Sequence, residues 1–155
     1  MESITKKLAA LGVTGALAFA AAVLIVPHEG KVNETYLDPV GILTACYGHT
    51  SPTLRHGQRF TDSQCLSMLA KDLAEHNRLL MHYTSVPLSR GEHAAYLSFV
   101  YNAGVGNYKK STLRKLLHSG QRRAACDELL KWNRQKLPGL DKRRKAERDV
   151  CLMDL

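Results

Sequence analysis

The sequence predicts a mostly helical α+β domain with a small sheet near its front. Three observations predict it. Residues 27–60 are polar and rich in turn formers, with Asp38-Pro39, Gly41, Gly48, Pro52 and Gly57 around short β-prone pieces near Tyr36 and Ile42–Tyr47. Thr61-Asp62-Ser63-Gln64 and Ser89-Arg90-Gly91-Glu92 both have the spacing of a capping box, in which the first side chain and the fourth satisfy each other's backbone N–H groups. A chain of 155 residues fits a single compact domain.

The elements follow in order. The turn-rich stretch reads as a hairpin or three-stranded sheet. Thr61 opens a helix whose stripe runs through Leu66, Leu69, Leu73, Leu80 and Met81 to about residue 82. Ser89 opens a second helix through Ala94, Leu97, Phe99 and Val100 that stops near Gly104 or Gly106. Ser111 or Thr112 caps a short helix ending at Gly120, and another runs through Ala124–Trp132. Pro138-Gly139 marks a turn, and Asp141 is the expected cap of a last helix through Ala146, Val150 and Leu152. There is no internal repeat and no low-complexity linker.

Composition narrows the class. With 45% apolar, 6% aromatic and 23% charged residues, the chain is neither disordered nor a multi-span membrane protein. The net charge is +8, concentrated late: residues 109–148 hold 14 Lys/Arg against 4 Asp/Glu. Such charge suits an anionic partner, whether an acidic polymer, a lipid headgroup surface or nucleic acid. Nucleic acid is disfavoured by the lack of an aromatic stacking platform or a base-reading motif.

The apolar residues gather at the front. Leu8–Val26 contains no charge, and a helix of 19 residues spans about 28 Å, close to the roughly 30 Å hydrocarbon core. Lys6 and Lys7 precede it, so the positive-inside rule leaves the start in the cytoplasm and everything after Val26 outside. Seven residues of this run are Ala and two are Gly, which makes a weak anchor that can insert yet need not stay. A cleaved signal peptide, with Ala18-Phe19-Ala20 or Ala20-Ala21-Ala22 as the site, and a buried soluble helix are the competing readings. Pro27 is expected to break the run. The division is therefore an N-terminal signal-anchor helix over residues 1–26 and a body over residues 27–155.

Cys46, Cys65, Cys126 and Cys151 all follow this segment. In an exported body an even number points to two disulfides. Four cysteines allow three pairings; Cys46–Cys65 and Cys126–Cys151 are favoured as joining elements that can be neighbours. Zinc on Cys46, His49, His56 and Cys65 is the alternative, and its spacing matches no standard finger. No metal or other cofactor is expected.

Hydrolysis of a glycosidic bond needs a protonated carboxyl for the leaving oxygen and a carboxylate for water or the sugar cation. Glu29 follows an apolar segment, a setting that disfavours the charged form, whereas Asp38 sits in a turn open to solvent. Their spacing alone is weak evidence. The surrounding residues add more: Glu29-Gly30, Tyr36-x-Asp38, Gly41, Thr44 and Tyr47-Gly48-His49-Thr50 resemble the front of the phage-type lysozymes, glycoside hydrolase family 24. Phe99–Gly106 through Ser111-Thr112-Leu113 resembles that family's second block, and Arg143–Arg148 its closing helix.

The resemblance implies a lysozyme-like fold with a small sheet lobe and a larger helical lobe, and cleavage of the β-1,4 bond between N-acetylmuramic acid and N-acetylglucosamine. It implies Glu29 as general acid, Asp38 as second catalytic carboxylate and Thr44 as the residue that places the attacking water. His49 is expected to brace the site or to touch substrate. Thr50 and Thr112 are weaker substrate-groove candidates, and Asn102 is expected as a structural cap. The chain departs from the pattern at Leu43, where an aromatic is frequent, and at Cys46, where glycine is frequent. Family members are regarded as inverting, which requires carboxyl groups about 6.5–9.5 Å apart.

The weak anchor three residues before Glu29 resembles the signal-arrest-release endolysins, which accumulate tethered and inactive and then leave the bilayer. That resemblance implies peptidoglycan as partner and the bacterial inner membrane as a transient anchor. It implies a place in the host inner membrane facing the periplasm, then the soluble periplasm, as a monomer once released. The anchor holds no cysteine, so activation by disulfide exchange within it is closed. The competing class is an anchored or secreted murein-binding module without catalysis. A lytic transglycosylase would need only one acid and leave Asp38 dispensable.

Overall fold

The computed structural model describes residues 3–133 and 136–155. The apolar front is not one helix. It forms α1 (Ile4–Ala10), α2 (Gly15–Ala20), a π-helical turn (Ala21–Ile25) and α3 (Val26–Glu29). Among the described residues no helix is long and apolar enough to cross a membrane. The break between α1 and α2 is made by Gly12 and Gly15, at φ +84° and +60°, a left-handed backbone that costs a residue with a Cβ about 1–2 kcal/mol.

Pro27 does not end the run. It occupies the first turn of α3, where its missing N–H is least costly, and the preceding π turn shifts the hydrogen bonding so that Val26 N–H reaches the Ala21 carbonyl. His28 Nδ1 donates to the Leu24 carbonyl at 2.6 Å. The folded segment buries Leu8, Val13, Ala18, Ala20, Ala21, Leu24 and Ile25, most of them in the same core as the helical lobe.

The sheet has the order β1 (Val32–Leu37), β2 (Leu43–Cys46), β3 (His49–Thr50), antiparallel throughout, with Tyr36 and Thr50 opposite Thr44. Backbone bonds from Thr35 N to Gln58 O and from Phe60 N to Asn33 O fasten β1 to the chain leading into the next helix. That helix, α4 (Asp62–His82), and α5 (Arg90–Ala103) begin with both halves of the expected capping boxes in place. Nearly all of α5 from Gly91 to Tyr101 is buried, which makes it the central helix of the larger lobe.

Around it lie α6 (Val105–Lys109), α7 (Thr112–His118, capped by Ser111), α8 (Arg122–Glu128) with a 3₁₀ turn at Leu129–Lys131, and α9 (Leu140–Leu152). The cap of α9 is Gly139 in left-handed conformation, not Asp141, which lies within the first turn. The α6 turn was not expected from the sequence. The architecture is the α+β, mostly helical arrangement that the sequence predicts.

Both favoured disulfides form. Cys46–Cys65 ties the end of β2 to the first turn of α4, and Cys126–Cys151 ties α8 to α9. Closing loops of these lengths is worth about 3 kcal/mol each at best. The two sulfurs that a zinc site would need are therefore joined to each other. Cys46 adopts φ +59°, the conformation that suits glycine, so its side chain gains the bridge at a backbone cost.

Candidate active site

Between the sheet and the helical lobe runs a cleft of about 790 Å³. Glu29 and His28 reach it from the end of α3; Tyr36, Asp38, Pro39, Ile42, Thr44, Gly48 and Thr50 form the sheet wall. Tyr101, Asn102, Leu137–Leu140, Lys142, Arg143 and Ala146 form the opposite wall. Glu29, Asp38, Thr44 and Thr50 thus share one cavity.

Glu29 is held from two sides. Its Oε1 lies 3.3 Å from Arg143 Nη1, and its carboxylate sits over Gly48 so closely that a Cβ there would be 2.8 Å from Oε2. With φ at +75° as well, position 48 admits only glycine without displacing the acid. The carboxyl is not in the purely apolar setting expected from the preceding helix, because the buried Arg143 guanidinium faces it.

Arg143 is fixed in turn. Its Nη2 donates to the Ser98 carbonyl at 3.3 Å, and its Nε lies 3.4 Å from Glu147 Oε2, which also accepts from Ser98 Oγ at 2.6 Å. Arg144 bonds the other oxygen of Glu147, the Trp132 carbonyl at 3.1 Å and Asn102 Oδ1, and stacks over the Phe99 ring. Arg143, Glu147 and Arg144 are buried, and with the partly exposed Glu29 they form an alternation of charge whose members satisfy one another, the condition under which burial of charge is tolerated. Asn102 is part of this chain rather than a cap of the glycine-rich turn.

Asp38 builds its own turn. Its Oδ1 accepts from Val40 N at 3.0 Å and Ile42 N at 2.8 Å, while its backbone N–H donates to the Ile42 carbonyl. Thr44 is buried on the central strand, and its hydroxyl donates to the Ile42 carbonyl at 2.9 Å. A hydroxyl has one proton to give, so what remains of Thr44 Oγ1 toward the cleft is acceptor capacity. Burial, aided by the negative charges of Glu29 and Asp38, keeps the Tyr36 phenol above its ordinary pKa, so it stays neutral. Tyr101, pushed up further by burial, donates to the Tyr47 carbonyl at 2.6 Å and joins α5 to the sheet.

Two of the expected substrate-contact residues do not line this cleft. His49 does not line the cleft: its Nδ1 pairs with Asp72 Oδ2 at 2.8 Å, joining β3 to α4. That hydrogen bond raises the His49 pKa above the usual imidazole value. Thr112, at the start of α7, is exposed in a separate depression with Lys110, Lys131 and Trp132.

Sequence reasoning missed Arg143 as the partner of Glu29, and Asp72 as that of His49. Arg143 and Arg144 stand four and three residues before Glu147, a spacing that signals an intrahelical ion pair but not its burial.

The phage lysozyme family model matches residues 26–147. A "SAR-endolysin" of Bacteriophage PS119 is 38% identical, over 89% of this chain and 87% of that protein. A "SAR-endolysin" of Enterobacteria phage PA-2 is 36% identical, over 97% and 96%. Among solved structures, the active form of the P1 phage endolysin Lyz superposes with a TM-score of 0.80 at 22% identity, covering 97% of this chain and 92% of that one, a likeness of fold. With the matched residues spanning the cleft, both disulfides' first cysteines and the Arg143–Glu147 network, the chain belongs to the phage lysozyme family.

Proposed function

We propose that the chain is a muramidase that hydrolyses the β-1,4 bond between N-acetylmuramic acid and N-acetylglucosamine in peptidoglycan, with inversion, and thereby lyses a bacterial host. The observation that carries this reading is the meeting of Glu29, Asp38 and Thr44 in one open cleft. Glu29 protonates the leaving oxygen. The carboxylate it becomes is stabilised by Arg143 at 3.3 Å. A water on the opposite face gives one hydrogen bond to Thr44 Oγ1, whose own proton is committed to Ile42, and its second proton to Asp38. Asp38 Oδ1 is occupied with its turn, which leaves Oδ2 as the base. His49 acts through position only, by holding β3 against α4.

The same reading extends to control. Residues 1–26 first hold the protein in the inner membrane with residues 27–155 on the periplasmic side, and release turns the enzyme on. Leu24 and Ile25 are fully buried in the folded protein and stand within five residues of Glu29. They cannot occupy a bilayer and this core at once, so a tethered chain cannot seat Glu29. The names of the two relatives agree with such a cycle.

Turbidity of outer-membrane-permeabilised Gram-negative cells tests the chemistry: full-length protein should clear them rapidly, and Glu29→Gln should lower the rate at least a hundred-fold. Equal clearing by the two proteins, both folded, would refute the assignment of Glu29. Depolarising cells that express the protein should move it from membrane to soluble periplasm at unchanged mass. A shorter soluble product would indicate cleavage instead. Gly12→Leu with Ala16→Leu should strengthen the anchor and delay lysis.

A further inference from the structure

The sheet-side rim of the cleft carries apolar surface that the chemistry above does not use. Leu37, Val40 and Ile42 are 58%, 50% and 51% exposed, and Pro39 is exposed beside them. Asp38 is the only charged residue between Leu37 and Thr44. The turn cannot fold this surface away. Asp38 Oδ1 holds the N–H groups of Val40 and Ile42, Asp38 N–H donates to the Ile42 carbonyl, and Gly41 N–H donates to the Asp38 carbonyl. A rigid, solvent-facing apolar edge is unfavourable for the free protein and suits a ligand that carries small apolar groups.

Only part of this edge faces the cleft. Pro39 and Ile42 line it together with Glu29, Asp38 and Thr44, whereas Leu37 and Val40 do not. The polar groups nearby, Thr50, Asn102 and Lys142, suit hydroxyls and ring oxygens. An acetylated amino sugar offers both kinds of surface, with one acetamido methyl per ring. Resting on the murein-hydrolase reading, we propose that Pro39 and Ile42 form an apolar shelf for the acetamido methyl of the sugar bound beside Asp38, so that the enzyme discriminates N-acetylated from de-N-acetylated glycan. A bare ammonium at that place would meet the carbons of Pro39 and Ile42 instead of water. Because the cleft holds the carboxylates of Asp38 and Glu29 as well as the cations of Lys142 and Arg143, the discrimination rests on the lost apolar contact and not on net charge.

The test uses the full chain carrying Glu29→Gln, so that binding is read without turnover. Its affinity is measured for purified sacculi and for the same sacculi after enzymatic de-N-acetylation, with and without Ile42→Ser. The Glu29→Gln protein should prefer N-acetylated sacculi by at least about four-fold, the worth of roughly one buried methylene. Adding Ile42→Ser should weaken binding to N-acetylated sacculi alone and at least halve that preference.

Ile42 is half exposed, so the fold should persist, and an unchanged melting temperature checks this. Val40→Ser, on the same turn but outside the cleft, should leave the preference as it was. An unchanged preference in Ile42→Ser, equal weakening on both sacculi, or an equal effect of Val40→Ser would each overturn the shelf. Failure of the unmutated enzyme to clear sacculi would instead sink the hydrolase reading, so the two failures are distinct.

Discussion

The folded N-terminal segment, residues 4–29, and the packed pair α5 and α9 are both largely helical and both contribute to the buried interior, but different forces hold them. The segment contributes small side chains, Ala18, Ala20 and Ala21 among them, and no charge between Leu8 and Val26. Ser3 caps α1 through Lys6 N–H, yet Thr14 makes no such side-chain bond at α2. Against it, the α5–α9 pair carries a capping box at Ser89 and Glu92, the enclosed Arg143–Glu147–Arg144 cluster, and a disulfide from α9 to α8. Burial of small apolar groups is non-directional and can be traded for another apolar environment. A buried ion cluster has only one place where its charges are satisfied. Under the release cycle proposed above, the segment changes surroundings while the α5–α9 pair stays folded, and the difference in the forces that hold them suits that cycle.

The largest effect that should break this contrast is at Glu147. Replacing it by Ala leaves two buried guanidinium groups without their common partner and should cost about 3–5 kcal/mol, read as a lower urea midpoint at unchanged slope. Because Arg143 also faces Glu29, clearing activity should fall even at temperatures where the variant stays folded. A loss below about 1 kcal/mol would mean that water or other groups already satisfy the arginines.

Gly12→Ala sharpens the comparison from the other side. No atom lies within 4 Å of the position where its Cβ would stand, so only the left-handed backbone resists the change. Folded stability should drop by about 1–2 kcal/mol, while the straight helical form of the segment gains about 1 kcal/mol. Both shifts favour the membrane, and the fraction of protein extracted as soluble after depolarisation should fall. If that fraction is unchanged, the break between α1 and α2 plays no part in release.

The smallest effect belongs to His49. Its pKa is raised in the folded state by Asp72, so the stabilisation is fully present below the unfolded imidazole value and is lost as pH rises through the higher folded one. The stability of the unmutated protein, read from its denaturation midpoint, should therefore fall as pH rises from about 6 through the raised folded value, by about 1 kcal/mol. His49→Asn should flatten that part of the profile.

Several features were legible in the residues themselves. The capping boxes at Thr61 and Ser89, the cap at Ser111 and the turn at Pro138-Gly139 are decided within four residues of chain, so sequence suffices to place them. The order of the three strands follows from short turns that leave no alternative path. The motif carrying Glu29, Asp38 and Thr44 was legible by resemblance, although spacing alone would not have singled it out.

Tertiary structure decided the rest. The passage of the helix through Pro27, the bends at Gly12 and Gly15, the pairing of Arg143 with Glu29 and the turning of His49 toward Asp72 all depend on what packs against what. An uncharged run of 19 residues is long enough for a bilayer and apolar enough for a core, and nothing local distinguishes them. What selects the folded form is the surface that α5 and its neighbours present, against which the same residues pack as one short helix and, after the break at Gly12 and Gly15, a second one with a π turn, instead of one long helix.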